Sequence, residues 1–267
     1  MTPTIHFLLP ASDYDPTESG LPWRALRDAG VDVRFATPDG EPAYADRRLT
    51  DDGFSLLSPF LMTKRGPLDA YREMAADAAF LAPSRHDEVV LGDDDGILVP
   101  GGHAKGVRTL IESEPAQGLV ADAMGRDLPL GAVCHGVLLL ARATDPETGR
   151  SPLHGRRTTA LTESMELTAW NLTRAWLRDY YRTYPETVQA EVTAALADPS
   201  DFDAGPRLPR RDSPERLDLG FTVRDRNYLS ARWPGDCHRF GLEFAALVDE
   251  HSRSPVARAT NLPSGQE

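Results

Sequence analysis

Short apolar runs alternate with amphipathic stretches along the chain as far as residue 161. Uninterrupted apolar runs of about four to eight residues are typical of buried strands, whereas apolar positions three or four residues apart predict helices. The predicted strands are Thr4–Leu9, Val31–Ala36, Gly96–Val99, Pro129–Val133 and Arg157–Leu161. The predicted helices are a segment through Trp23 and Ala29, then Pro67–Leu81, Val107–Glu112, Ala116–Met124 and Val137–Ala143. This alternation predicts an α/β fold with a doubly wound, mostly parallel sheet, in which ligands bind at the carboxyl ends of the strands.

The pattern changes after residue 161. Apolar and aromatic positions from Glu163 to Leu196 have helical spacing, and Asp198–Pro214 is rich in Pro, Asp and Arg. No second strand–helix series follows, so we predict a single domain over residues 1–255 with a mostly helical cap insertion at about 164–215. The remaining predicted features are a hairpin of Phe221–Val223 with Tyr228–Ala231, a helix over Pro234–His251, and a tail at 256–267.

Composition narrows the class of protein. The chain has 267 residues, of which 40% are hydrophobic and 26% charged, which is enough apolar material for a packed core. It lacks an apolar run of about 18 residues and a basic start followed by a long apolar stretch, so we expect neither a membrane span nor a secretory signal. The net charge of −12, without a basic stripe, argues against nucleic-acid binding. We therefore expect a cytoplasmic protein with a small-molecule substrate.

The two cysteines, Cys134 and Cys237, are too few for a disulfide framework, and neither has the spacing of a zinc motif. The histidines show no 2-His-1-carboxylate spacing, so we assign no metal, and no motif calls for an organic cofactor. We interpret Cys237, next to His238, as a small residue at a helix start. The question is then what Cys134 does.

Cys134 ends an apolar strand and directly precedes an apolar helix, with Gly131 and Gly136 nearby. A strand-to-helix elbow of this kind presents the nucleophile of many hydrolases at the edge of a sheet. We expect an accessible thiolate whose pKa is lowered by the following helix N-terminus. The plainer alternative is a buried, inert cysteine, which is the common fate of cysteine in a strand.

Two glycines follow the strand Gly96–Val99, in the order Pro100-Gly101-Gly102-His103. Glycines after a strand allow backbone N–H groups to face a ligand. If this strand neighbours the cysteine strand, the amides of Gly102 and His135, beside Gly101, would bind a developing oxyanion. An ordinary strand-to-helix turn is the alternative.

The chain resembles the DJ-1/PfpI superfamily, in the Hsp31-like branch that is described as type 1 glutamine amidotransferase-like. Three blocks carry the resemblance: Asp15-Pro16-Thr17-Glu18 with Pro22-Trp23, Leu98-Val99-Pro100-Gly101-Gly102-His103, and Ala132-Val133-Cys134-His135-Gly136. Weaker similarity lies at Thr158–Glu163 and Tyr228–Pro234. The resemblance implies a flavodoxin-like fold, and a homodimer is compatible with it. True glutamine amidotransferases carry a His-x-Glu pair after the cysteine, but His86-Asp87-Glu88 precedes it here, so we reject glutamine hydrolysis.

The resemblance also implies the roles of the site residues. Cys134 would be the nucleophile and His135 its base, and Glu163 matches the acidic residue that orients the imidazole, with Glu166 as its competitor. Glu18 matches the acidic residue that hydrogen-bonds the cysteine sulfur, which we expect to be protonated beside a thiolate. The alternative for Glu163 and for Glu18 is a carboxylate that stabilises a helix N-terminus.

Three functions fit these residues. The first is a cysteine-dependent enzyme acting on a small reactive carbonyl compound, either glyoxalase III-like, converting a 2-oxoaldehyde to a 2-hydroxy acid, or deglycase-like. In that reaction His135 or Glu18 would carry a proton between the two carbons. The second is a cysteine hydrolase, amidase or hydratase that acts through a thioester or thioimidate on a bulkier metabolite. The third is a stress chaperone or redox sensor, in which Cys134 is oxidised.

Overall fold

The computed structural model describes residues 3–253 and has one seven-stranded sheet in the order β5-β3-β1-β6-β7-β9-β8. The strands are β1 (Thr4–Leu8), β2 (Ser12–Tyr14), β3 (Asp32–Thr37), β4 (Tyr44–Ala45), β5 (Ser84–Arg85), β6 (Gly96–Val99), β7 (Leu130–Val133), β8 (Thr222–Asp225) and β9 (Tyr228–Ala231). Neighbours in this sheet pair in parallel except β8 and β9, which form the predicted antiparallel hairpin. Strands β2 and β4 pair with each other outside it.

Ten α-helices accompany the strands over residues 3–253. They are α1 (Pro16–Asp28), α2 (Ser58–Leu61), α3 (Arg65–Ala75), α4 (Ala78–Leu81), α5 (Arg108–Ile111), α6 (Glu114–Gly125), α7 (Val137–Arg142), α8 (Glu163–Leu177), α9 (Val188–Ala195) and α10 (Cys237–Arg253). Helices cover both faces of the sheet, which confirms the predicted α/β, flavodoxin-like fold. None of these helices is both long and apolar enough to cross a membrane.

The central strands place two loops side by side. Every residue of β6 and β7 is buried, as expected for parallel strands covered on both faces. Val99 of β6 pairs with Ala132 of β7, so the two strands end at the same edge of the sheet. The segment after Val99 and the segment after Val133 therefore meet there.

The strand predicted at Arg157–Leu161 is wrong. Thr158 forms a single bridge, to Phe202, and the place beside β7 belongs to β9. The segment contacts the sheet through side chains instead, because the Thr158 hydroxyl lies 2.9 Å from the Tyr228 hydroxyl. The apolar pattern predicted that this segment pairs with a strand through its backbone. Its contact with the sheet is instead a hydrogen bond between hydroxyl groups.

The helix predicted over Pro67–Leu81 is interrupted. Helix α3 ends at Ala75, and Asp77 caps a new short helix by accepting a hydrogen bond from the Ala79 N–H group at 2.8 Å. An aspartate favours this N-cap position over a helix interior, which explains the break. The other predicted helices appear with bounds shifted by a few residues.

Helices α8 and α9 lie in the segment that we predicted as a cap. Under α8, a small apolar cluster joins Leu177 and Tyr181 to Leu49 and Phe54 of a segment for which the sequence predicted no element. The division into one domain with an inserted cap stays a prediction, and the predicted tail at 256–267 lies outside the described residues.

Candidate active site

Cys134 occupies a strained turn between β7 and α7. Its φ angle is +57°, which is a left-handed conformation that non-glycine residues rarely adopt. Cys134–Gly136 forms a single 3₁₀ turn. A Cβ atom at Gly136 would lie 2.5 Å from the carbonyl oxygen of Val99, so only glycine allows this approach to β6. Strain of this type accumulates at functional sites.

The imidazole of His135 lies between Cys134 and Thr183. Its Nδ1 atom is 3.5 Å from the Cys134 sulfur, and its Nε2 atom is 3.1 Å from the Thr183 hydroxyl oxygen. The Thr183 hydroxyl donates its only proton to the carbonyl oxygen of His103. We therefore assign the imidazole proton to Nε2, which leaves the Nδ1 lone pair facing the thiol.

Burial keeps this imidazole neutral. Desolvation is the main reason why the pKa of His135 falls well below its usual value, and the neighbouring His103 lowers it further. The pKa of His103 itself is lowered to about 4 by burial. Both rings are therefore neutral near pH 7, and His135 can accept a proton from the thiol through Nδ1.

Glu18 reaches the same point from helix α1. Asp15 caps this helix by accepting hydrogen bonds from Thr17 N–H at 2.7 Å and Glu18 N–H at 3.2 Å. The Asp15 N–H group donates to the Gly101 carbonyl at 2.8 Å, which ties the helix start to the loop after β6. The sequence pattern of α1 thus fixes where the Glu18 carboxyl lies.

The Glu18 carboxyl is fully buried. Its Oε2 atom accepts a hydrogen bond from the Gly101 N–H group at 2.8 Å. Its Oε1 atom has no well-formed hydrogen bond within residues 3–253, although the carboxyl interacts with the Cys134 thiol. Burial, followed by the charge of Asp15, raises the pKa of Glu18 well above its usual value. We therefore assign a protonated carboxyl, with the proton on Oε1.

The thiol of Cys134 differs from the expected one in two ways. Its side chain is 0% exposed, so the accessible position that we predicted is wrong. Burial, followed by the nearby Glu18 carboxyl, raises the pKa of the thiol, so the predicted lowering is wrong as well. The six-residue helix α7 does not outweigh this loss of solvation. The cysteine nevertheless has an imidazole and a carboxyl group within reach.

The structure does not bring Glu163 to the imidazole. Glu163 is exposed at the first residue of α8, and its N–H group donates to the Gln189 side chain. Glu166 is buried, but it accepts a hydrogen bond from Val188 N–H and pairs with Arg182. The predicted orienting role is thus wrong for Glu163 and for Glu166, since Nε2 of His135 contacts Thr183.

Sequence reasoning missed Thr183. It lies in an irregular stretch after α8 and has no fixed spacing to the cysteine block. A threonine hydroxyl is also an unusual substitute for the acidic group of a catalytic triad. No signal in the sequence could have identified it, because only the folding of the chain after α8 places it 3.1 Å from His135.

The two glycines after β6 differ in what their N–H groups do. Gly101 N–H is occupied by Glu18, so it is not available to an oxyanion. Gly102 N–H has no hydrogen-bond partner within residues 3–253, and a Cβ atom there would lie 2.3 Å from the Asp13 carbonyl oxygen. The N–H group of His135 faces the Cys134 sulfur. Binding of an oxyanion by Gly102 and His135 stays a prediction.

Three side chains of this site could hold a metal ion, although no spacing along the chain predicted one. One donor atom from each of His103, Cys134 and His135 lies within 4.8 Å of the others. Thiolate and imidazole ligands suit zinc or copper. Cys237, in contrast, is buried at the first residue of α10, with its sulfur 3.7 Å from the Trp233 carbonyl oxygen, in agreement with a helix-start role.

Comparison with known proteins agrees with this architecture. An uncharacterized Schizosaccharomyces pombe protein is 33% identical over 136 residues, which are 50% of this chain and 48% of that protein. The match therefore spans about half the length of this curated relative.

Two solved structures share the fold. The Rapid Encystment Protein 24 kDa from Francisella tularensis superposes with a TM-score of 0.66 at 14% identity, over 92% of this chain and 99% of that one. Glyoxalase III from Candida albicans superposes with a TM-score of 0.63 at 15% identity, over 92% and 97%. The Hsp31-like branch stays a prediction. A family model described as ThiJ/PfpI family-like matches residues 9–206, so the chain belongs to this family.

Proposed function

We propose that this protein converts 2-oxoaldehydes to 2-hydroxy acids with Cys134 as the nucleophile. The observation that carries the proposal is that the thiol of Cys134 contacts one group that can accept a proton and one group that can donate a proton. The unprotonated Nδ1 of His135 lies 3.5 Å from the sulfur, and the protonated carboxyl of Glu18 interacts with the same thiol. The likeness to a structure described as glyoxalase III supports the choice of substrate class.

In the first step, the thiol adds to the aldehyde carbon. A C–S bond forms while the thiol proton moves to His135 Nδ1, and the carbonyl π electrons move onto the oxygen. Because the thiol is neutral before the reaction, the nearby base is needed for attack. The N–H groups of Gly102 and His135 would stabilise the oxygen anion. The anion takes the Oε1 proton of Glu18 to give a hemithioacetal, which leaves Glu18 as a carboxylate.

In the second step, the Glu18 carboxylate takes the former aldehyde hydrogen from the first carbon as a proton and returns it to the second carbon. His135 moves a proton from the oxygen of the first carbon to the oxygen of the second. This isomerisation passes through an enediol and yields a thioester of the 2-hydroxy acid, with no external oxidant or reductant. Glu18 fits the transfer because its Oε1 atom has no well-formed hydrogen bond within residues 3–253. Water then attacks the thioester, which releases the acid and restores the thiol.

The test is the formation of 2-hydroxy acid from methylglyoxal and from the longer 2-oxohexanal. We expect Cys134→Ala to lower kcat/KM by more than about a thousandfold, since removing a nucleophile removes the whole covalent route. Cys237→Ala is the matched control, because Cys237 is also a free and buried cysteine. Equal turnover by the wild type and by Cys134→Ala would exclude the proposal.

A further inference from the structure

We infer that the site selects 2-oxoaldehydes with a long apolar chain over methylglyoxal; this inference rests on the proposed function. It comes from a cavity of about 440 Å³ between the cap and the sheet edge. Pockets of about 300–1,000 Å³ hold ligands of drug size, far larger than a three-carbon aldehyde. The cavity therefore offers room that methylglyoxal does not use.

One end of the cavity is polar and lies next to the reactive groups. His103 and Asp15 line it. A nitrogen of His103 lies within 4.8 Å of the Cys134 sulfur, and the ring packs 5.3 Å from that of His135. Cys134 does not line the cavity, so the proposal requires that His103, which lines it beside the sulfur, moves when a substrate binds. This end would receive the aldehyde.

The rest of the cavity wall is mainly apolar, although Arg207 and Arg211 also line it. Side chains from four separate segments converge on it: Phe60, Leu61, Met165, Leu172, Tyr181 and Trp233. They belong to α2, α8, the stretch after α8 and the loop after β9. An apolar chain that extends away from His103 would contact these side chains, whereas a hydrated uncharged chain would lose solvation there.

Several large apolar side chains that line the cavity are exposed to solvent. Phe60 is 74% exposed, Leu172 64% and Leu208 83%, and all three line this cavity. Isolated exposed leucines need no explanation, but apolar side chains that surround one groove mark a binding site. Filling the groove with hydrocarbon would remove their apolar surface from water.

The experiment measures kcat/KM for linear 2-oxoaldehydes from methylglyoxal to 2-oxooctanal. We expect kcat/KM to rise about fourfold for each added methylene group until the cavity is filled. A second measurement uses Leu172→Glu, which should lower the ratio of kcat/KM for 2-oxooctanal to that for methylglyoxal by at least about tenfold. Leu242→Glu is the matched control, because Leu242 is 50% exposed in α10 and does not line the cavity.

The outcomes separate the two proposals. If no 2-oxoaldehyde is turned over faster by the wild type than by Cys134→Ala, the proposed function fails. If turnover is present but methylglyoxal is preferred, only the chain-length selectivity fails. The selectivity also fails if Leu172→Glu leaves the ratio unchanged. If this variant also changes the oligomeric state in sedimentation, the apolar groove contacts a second copy of the chain.

Discussion

In the proposed mechanism, Thr183 positions the imidazole of His135 without touching the reacting atoms. Its hydroxyl accepts a hydrogen bond from Nε2 of His135 and donates one to the His103 carbonyl, which fixes the tautomer with Nδ1 free. An oriented carboxylate does the same in a classical triad but adds negative charge. Here the carbonyl of His103, in the loop after β6, orients the Thr183 hydroxyl. A movement of this loop would therefore also change the hydrogen bond to His135.

We predict that Thr183→Val lowers kcat by about tenfold to a hundredfold, because the isosteric side chain cannot accept a hydrogen bond from the Nε2–H group. Thr183→Ser keeps the hydroxyl and should restore most of the activity, which a purely structural role would not explain. The measurement is kcat for both variants, with thermal unfolding to verify that each is folded. Equal activity of Val and Ser variants would contradict the positioning role.

Burial of Cys134 leads to a prediction about its ionisation. Because the pKa of the thiol is raised, the neutral form should persist above the ordinary thiol pKa of about 8.5. The difference in absorbance at 240 nm between the wild type and Cys134→Ala should therefore show no thiolate at pH 7. Subtraction cancels the contribution of Cys237. A thiolate signal at pH 7 would mean that the helix N-terminus dominates after all.

At the scale of elements, the close approach of α1 and α3 holds Glu18 in place. A Cβ atom at Gly20 would lie 2.6 Å from the backbone nitrogen of Tyr71. Backbone atoms cannot move aside as a flexible side chain can, so the two helices would have to separate. The carboxyl of Glu18, two residues earlier, would move with α1.

We predict that Gly20→Ala lowers the free energy of unfolding by about 1–3 kcal/mol through overpacking. Gly118→Ala in α6 is the matched control, since it is exposed and has nothing within 4 Å of the added Cβ. It should raise the free energy of unfolding by about 0.5–1 kcal/mol, because alanine favours a helix interior. Urea denaturation measures both, and the same sign for both variants would exclude this account.

At the scale of the molecule, Asp46 links the segment before α2 to the stretch after α8. Its side chain accepts hydrogen bonds from the Tyr180 hydroxyl and from the Arg48 N–H group. Burial raises its pKa to about 6 from an ordinary value of 3.8. The folded protein therefore binds this proton more tightly than the unfolded chain does, and the contribution of Asp46 to stability falls as the pH rises toward and through 6.

We predict that Asp46→Asn becomes more favourable relative to the wild type as the pH rises. Between pH 5 and pH 7.5 the difference in the free energy of unfolding should shift by about 1 kcal/mol in favour of the variant. Urea denaturation of both proteins at the two pH values gives this difference directly. A shift in the opposite direction would show that ionised Asp46 is stabilised by the cap.

The local pattern of the chain predicted most of the fold. Strands such as Gly96–Val99 and helices such as α6 follow from apolar spacing and from Gly, Pro and Asp at their ends. The local pattern failed at Arg157–Leu161, which it predicted as a strand. Strand β9 occupies the position beside β7 instead. Competition between distant segments for one sheet position is invisible to a local pattern.

By itself, the sequence determined the α/β class, the strand-to-helix turn at Cys134, and the proximity of Glu18 and Gly101 to it. These follow from short-range chemistry and from the blocks shared with the superfamily. Only the tertiary structure decided that the thiol is buried with a raised pKa, and that Thr183 rather than Glu163 faces the imidazole. Solvation and contacts between distant segments depend on how the whole chain packs, and no spacing along the sequence encodes them.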